Sequence, residues 1–384
     1  MTTLDDWTND IHTGDAVDTL AELPESSVHM VMTSPPYYGL RDYSVDGQIG
    51  LEDELNEYIE ELVDVFREVR RVLRPDGSAW LNLGDSYDGG KNKMLVPHHV
   101  AIALQDDGWI VRNDVTWAKP NPMPSSVKDR LNTTTEQVFH LVPEPDYWYD
   151  LDAIREPYSE FMKRASDYDV GTGEYASDDT PGSHHRGGML DAGKSRGETM
   201  NPAGKNPGDV FEVTTKPFPD AHFAVYPPEL VEKPLKATCP PKVCSECGSP
   251  YERETRDESG FTDGECNACG ASKSKHKQGT KNPESGSAMS GDLRACSSSV
   301  TEGWTPTCDC DTDATEAGIA LDPFAGAGTT ALVAKRHGRR FIGIDLNEEY
   351  VAMAQKRLGL TVDHPEHVRD DGQEGIEAWA DGGE

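Results

Sequence analysis

The chain has 384 residues, room for one large α/β domain with insertions or for two domains. Only 35% of them are hydrophobic and the mean hydropathy is -0.65, so a few strongly apolar segments must supply the core. The formal net charge is -33, from 69 acidic and 36 basic residues, which at low salt opposes a polyphosphate partner. There is no run of 18 apolar residues and no apolar leader; a helical membrane span is excluded and a cytoplasmic protein expected, in which eight cysteines read as metal ligands before disulfides.

Ser27 to Thr33 reads as a strand, ended by Pro35 and Pro36, neither of which can donate a ladder hydrogen bond. In the stretch TSPPYYGLRDY, Thr33 to Tyr43, the run Ser34 to Tyr38 places a hydroxyl, two stiff residues and two aromatic rings at that strand's carboxyl end. Alone, it reads as a strand-ending turn. Leu55 to Leu73 carries apolar residues at helical spacing, closed by a turn at Pro75-Asp76-Gly77. Strands are expected at 78–83, 110–117 and 137–142, with a helix at 96–104. Such alternation points to a mostly parallel sheet.

Apolar periodicity disappears over 157–209, where Gly, Ser, Asp and His dominate; this is a long loop or a binding segment. Residues 238–316 hold all eight cysteines. The α/β pattern returns with LDPFAGAGTT: a strand at 319–321, a turn at Gly326 and Gly328, a helix over 329–337, and a strand at 340–344 ending at Asp345. Glycines let a ligand approach the backbone, and an acid about 20 residues past the first glycine suits ribose hydroxyls. With the carboxylate of Asp322 suited to an ammonium group, these residues describe S-adenosylmethionine better than a dinucleotide.

The two motifs together resemble the amino-methylating DNA methyltransferases, in the order of the circularly permuted beta class. The likeness extends to HTGDAVDTL (12–20), GSAWLNLGDSY (77–87), WAKPNPMPSSVKDRL (117–131) and KPFPDAHFAVYP (216–227). It implies a Rossmann-like methyltransferase fold, an α/β sheet of seven mainly parallel strands, with a zinc-ribbon-like insertion. The organisation it implies is a catalytic half at 1–156, a variable loop for target recognition at 157–209, a return segment at 210–237, a zinc insertion at 238–316, a cofactor half at 317–358 and an acidic tail at 359–384. Carried over by position, Asp322, Pro323, Phe324, Gly326, Gly328 and Thr329 would line the cofactor's methionine end. Asp345 would hold the ribose, Asp15 would approach the adenine amino group, and Phe223 would pack beside the cofactor. Double-stranded DNA is the implied partner, with any restriction endonuclease on a separate chain.

Methylating an exocyclic amino nitrogen requires aligning nitrogen, methyl and sulfur and drawing the lone pair out of the ring plane. Ser34 Oγ and the Pro35 carbonyl are the candidate acceptors for the two amino protons, with Pro36 stiffening the turn and Tyr37 stacking on a base extruded from the duplex. Serine at the first position resembles the cytosine-N4 enzymes; adenine-N6 enzymes more often carry Asp or Asn there. Cytosine-C5 chemistry needs a thiolate nucleophile, and no Pro-Cys dipeptide is present.

Cys244-x-x-Cys247 and Cys266-x-x-Cys269 fit a four-cysteine zinc ribbon. Cys308 and Cys310 compete as partners of Cys244 and Cys247, a pairing that the resemblance to related enzymes implies; Cys266 and Cys269 would then pair with Cys239 and Cys296 or bind nothing. Spacing leaves the choice open. Phosphate contacts are expected from Lys273, Lys275, His276, Lys277 and Lys281, or from Arg112, Lys119, Lys128 and Arg130; His184-His185-Arg186 marks the variable loop. The acidic surface resembles that of proteins from molar-salt cytoplasms, where screening within roughly 3 Å would remove repulsion from DNA, and the likeness to haloarchaeal enzymes points to a short palindrome such as CTAG. The rival readings are an adenine-N6 enzyme and a non-catalytic zinc-ribbon DNA-binding protein on a methyltransferase scaffold.

Overall fold

The computed structural model describes residues 3–43, 45–158, 201, 203–216, 225–259, 261–262, 265–266 and 297–360. The strands are β1 (Asp10–Thr13), β2 (Val28–Thr33), β3 (Leu73–Leu83), β4 (Ile110–Ala118), β5 (Thr135–Val142), β6 (Val210–Glu212), β7 (Val243–Cys244), β8 (Tyr251–Ser259), β9 (Phe261–Thr262), β10 (Glu265–Cys266), β11 (Ser297–Pro306), β12 (Thr315–Glu316), β13 (Ile319–Asp322) and β14 (Arg340–Asp345). The helices are α1 (Leu4–Trp7), α2 (Ala16–Glu22), α3 (Leu55–Val72), α4 (Val96–Asp106), α5 (Pro228–Thr238), α6 (Thr329–Arg336) and α7 (Glu348–Leu358).

One sheet runs β1-β14-β13-β2-β3-β5-β4-β6. Every pair is parallel except those of β5, which is antiparallel to β3 and β4. The mostly parallel sheet is as expected, but it has eight strands, not seven. The eighth, β6, pairs with Thr116–Ala118 and covers an otherwise open edge. The late strands β13 and β14 lie between β1 and β2, so both halves of the chain build one sheet.

Alternation along the strands splits the core into two layers. Val31, Ala79, Leu81 and Leu321 pack with Leu62, Phe66 and Val69 of α3 and Val100 and Leu104 of α4. Met30, Met32, Trp80 and Ala320 pack on the other face with Leu230 and Leu235 of α5, Val333 of α6 and Val351 of α7. Helix α3 forms as its spacing predicts: a capping box pairs Glu54 with Glu57, and Arg70 and Arg71 sit in the last turn, where they favour the dipole.

Pro75-Asp76-Gly77 is not a turn between helix and strand. Val28 pairs with Leu73 and Met30 with Ser78, so the tripeptide bulges within β3. Arg74 and Asp76 pair at 2.8 Å across the bulge. Gly77 is required there, since a Cβ would lie 2.7 Å from Leu73 Cδ1 and 2.9 Å from the His29 carbonyl.

In the cysteine-rich segment β8 and β11 form an antiparallel ribbon, and β7 pairs with β12. Among the described residues, no helix is long and apolar enough to cross a membrane.

Candidate active site at the carboxyl edge of the sheet

From β13 the chain crosses through α6 to β14, and from β2 through α3 to β3, in opposite directions along the sheet. The crevice at such a switch point opens at the carboxyl ends of the two central strands. β2 delivers Ser34 there, β13 delivers Asp322, β14 delivers Asp345 and β1 delivers Gly14-Asp15. Because β5 runs the other way, its first residues reach the same edge: Glu136 pairs with Trp117 near the end of β4.

A cavity of about 270 Å³ lies here. Ser34, Pro35, Pro36 and Tyr37 line one part of it; Asp15, Pro323, Phe324, Gly326, Thr329 and Asp345 line another. Asp322 and Gly328 do not line it. Asp322 is buried, and its oxygens accept from Thr33 Oγ1 at 2.7 Å, Tyr226 OH at 2.7 Å and Phe324 N at 3.1 Å. Burial pushes its carboxyl above the usual range, and these hydrogen bonds oppose the shift. Gly328 begins α6 with φ +69°, where a Cβ would meet that of Ala354 at 3.0 Å. Phe223 lies outside the described residues; Val225 and Tyr226 of the same segment line the cavity.

Asp345 braces the glycine turn. Its Oδ2 accepts from Gly326 N at 2.7 Å and its Oδ1 from Asn347 N at 2.9 Å. Asp15 caps α2, with Oδ1 accepting from Val17 N at 2.8 Å and Asp18 N at 3.1 Å.

The Ser34 turn sits in a polar network that local sequence does not announce. Ser34 Oγ donates to Tyr37 OH at 3.2 Å, and Tyr37 OH donates to Glu136 Oε2 at 2.7 Å. Asn82 Nδ2 lies 3.2 Å from Ser34 Oγ, 2.8 Å from Tyr37 OH and 3.0 Å from Glu136. Lys119 forms an ion pair with Glu136 and rests 4.5 Å from the centre of the Trp117 ring. Burial, then the negative charge of Glu136, holds the Tyr37 hydroxyl well above its ordinary value, so it stays protonated and donates. Tyr58 OH donates to the Pro36 carbonyl at 2.9 Å. At Gly84 a Cβ would lie 2.5 Å from Tyr37 Cε2, so only glycine leaves room for this ring.

Asn82, Glu136 and Tyr226 went unmarked in the sequence; Asn82 and Glu136 lie near strand ends, and Tyr226 just before α5. Lys119, one of the residues expected at phosphates, lines the cavity. Arg112 lies over Tyr147 at 5.5 Å and Arg130 over Tyr87 at 3.9 Å. The runs Lys273–Lys281 and His184–Arg186 lie outside the described residues.

Away from this edge, the ligand atoms of Cys244, Cys247, Cys308 and Cys310 all lie within 4.8 Å of one another. This is the second of the two pairings that spacing allowed. Cys269, Cys296 and the side chain of Cys266 lie outside the described residues, and Cys239 is buried in the core layer of α5. The Cys244 turn is docked on the sheet: His29 Nε2 lies 3.0 Å from the Gly248 carbonyl and Arg74 Nη1 3.0 Å from that of Cys247.

Comparison with known proteins agrees with this geometry. The family N6_N4_Mtase, DNA methylase, matches residues 28–244 and 313–356. The chain is 34% identical to the Type II methyltransferase M.SfiI of Streptomyces fimbriatus, over 89% of each chain. It is 31% identical to the Type II methyltransferase M.XycI of Xanthomonas campestris pv. cyanopsidis, over 90% of this chain and 86% of that one. The fold is similar to that of the cytosine-N4-specific PvuII DNA methyltransferase, with TM-score 0.50 and 17% identity over 92% of this chain and 86% of that one. The chain belongs to the N6/N4 family of DNA methylases, S-adenosylmethionine-dependent DNA methyltransferases that modify an exocyclic amino group.

Proposed function

We propose that the chain methylates N4 of a cytosine extruded from duplex DNA. One observation carries this reading: the Ser34 hydroxyl lines the same cavity as the Phe324–Gly326 turn and Asp345. Ser34 Oγ gives its proton to Tyr37 and accepts from Asn82. A hydroxyl oxygen has two lone pairs, so one remains, suited to an amino N–H. The Pro35 carbonyl, held between two proline rings, accepts the other amino proton. The two bonds pull the nitrogen lone pair out of the ring plane. Tyr37 offers a stacking surface worth about 1–3 kcal/mol.

The residues fit S-adenosylmethionine. Each Asp345 oxygen accepts one backbone N–H and keeps a lone pair for a ribose hydroxyl. Gly326 holds φ +50° with open space where a Cβ would stand, so the backbone can approach the ligand closely. When bound, the cofactor supplies a sulfonium methyl open to in-line attack. Asp322, fully engaged by Thr33 and Tyr226, positions Phe324 through its backbone.

The same reading takes the sheet as circularly permuted, with the catalytic half ahead of the cofactor half. It gives the four clustered cysteines a zinc ion: tetrahedral Zn–S bonds of about 2.3 Å put the sulfurs about 3.8 Å apart, within the observed spread. Four thiolates leave no open position, so the metal is structural. The acidic composition supports a high-salt setting, and the family resemblance supports a CTAG-like target. The Type II relatives support a modification role beside an endonuclease on another chain.

Mass spectrometry of nucleosides from unmethylated DNA treated with protein and cofactor tests the reaction. N4-methylcytosine is expected; N6-methyladenine in its place sinks the cytosine reading. Methylation-sensitive sequencing of the same DNA gives the target site.

A further inference from the structure

The β4–β5 connection contains KPNPMPSSVKDRL, Lys119 to Leu131. Three prolines alternate with other residues around Met123, each fixing φ and removing a donor. Met123 lies four residues beyond Lys119, which lines the cavity. The loop is tied on several sides. Lys119 N donates to the Thr134 carbonyl at 2.9 Å. Asn121 exchanges two hydrogen bonds with the backbone of Thr215, itself a cavity residue, at 3.0 and 2.9 Å. Asn132 Nδ2 donates to the Met123 carbonyl at 3.1 Å, which ties the residue after Leu131 to Met123 across the loop. On the outer side, Arg130 rests on Tyr87 at 3.9 Å and Lys91 pairs with Asp129 at 2.6 Å.

On this braced loop Met123 is 87% exposed and Leu131 90%, the two most exposed large hydrophobic residues described. Single exposed apolar residues are ordinary. Two on one proline-stiffened loop, cross-tied by Asn132 and anchored at the rim of the cavity, with Lys128 and Arg130 close in sequence, are a different case.

We propose that Met123 and Leu131 form a wedge that enters the duplex where the target base has left the stack. The proposal rests on the reading above that the base is extruded into the Ser34 cavity. Pulling a base out leaves an apolar gap between neighbouring pairs, and Met and Leu side chains are among those that insert between base steps in other DNA complexes. The stiff loop presents both without ordering on contact, and Lys128 and Arg130 meet the flanking phosphates.

The test compares two duplexes carrying the target site, one fully paired and one with the target base mispaired, so that extrusion costs less. In the Met123→Ala/Leu131→Ala double variant, kcat/KM on the paired duplex should fall at least about tenfold, and on the mispaired one less than about twofold. Met123→Leu should keep the paired rate, and cofactor affinity should match wild type in all variants. An equal loss on both duplexes, or no loss on either, overturns the wedge. Wild-type protein that gains neither affinity nor rate from the mispaired target would instead refute the extruded-base reading, and the wedge with it.

Discussion

Thr33 Oγ1 donates to Asp322 Oδ1 at 2.7 Å, joining the last residues of adjacent strands that lie 289 residues apart in sequence. The bond links the Ser34–Tyr37 turn to the Phe324–Gly328 turn inside the core, where Thr33 and Asp322 are 0% and 1% exposed. Thr33→Val leaves a buried carboxylate short of one donor and should cost about 1–3 kcal/mol of stability, measured by urea unfolding. Tyr226→Phe removes another donor from the same carboxylate. Because both act on one group, the double variant should depart from the sum of the single losses.

Tyr37 is expected to separate chemistry from cofactor binding. Tyr37→Ala removes the stacking ring and the hub between Ser34, Asn82 and Glu136. The single-turnover methylation rate should drop about 10- to 100-fold from lost stacking alone, with cofactor affinity by calorimetry little changed. Gly84→Ala should mimic this loss, since its methyl group would occupy the space of the Tyr37 ring.

His140 sets an acid-labile point. It stacks on Trp80 at 4.1 Å, its Nε2 lies 3.1 Å from Ser78 Oγ, and burial pushes its pKa down to about 3 from 6.5. With the folded value depressed, the unfolded chain binds the extra proton between those values. The stability due to neutral His140 is therefore full above pH 6.5 and lost as the pH falls toward about 3. From pH 6.5 to 4 the loss amounts to about 3 kcal/mol. In His140→Phe the urea midpoint should depend less on pH across this interval.

Metal analysis should find zinc at Cys244, Cys247, Cys308 and Cys310. Chelation, or Cys308→Ser, should lower the melting temperature by several degrees. Loss of the metal frees the segment leading through β12 (Thr315–Glu316) into β13. Cys266→Ser should leave the zinc content unchanged.

The two motifs of the site were legible because each is local: TSPPY and DPFAGAGTT carry their chemistry within a few consecutive residues. Asn82 and Glu136 were not, because tertiary structure brings them in. Glu136 reaches the catalytic edge only because β5 is antiparallel, and an acid at the start of an ordinary strand carries no mark of that. The bulge at 74–77 hid behind residues that normally make turns. Zinc-ribbon spacing allowed two cysteine pairings; in the structure β7 and β12 bring Cys308 and Cys310 to the Cys244 turn, with Thr315 opposite Cys244.

The position of β13 and β14 within the sheet also bears on synthesis. Until they emerge from the ribosome, β1 lacks its neighbour and β2 has only β3 beside it. Ser34 and Tyr37 meanwhile face no Phe324 turn and no Asp345. On the proposed site, a chain stopped short of Ile319 lacks the whole cofactor turn, and it should bind no S-adenosylmethionine and leave DNA unmodified.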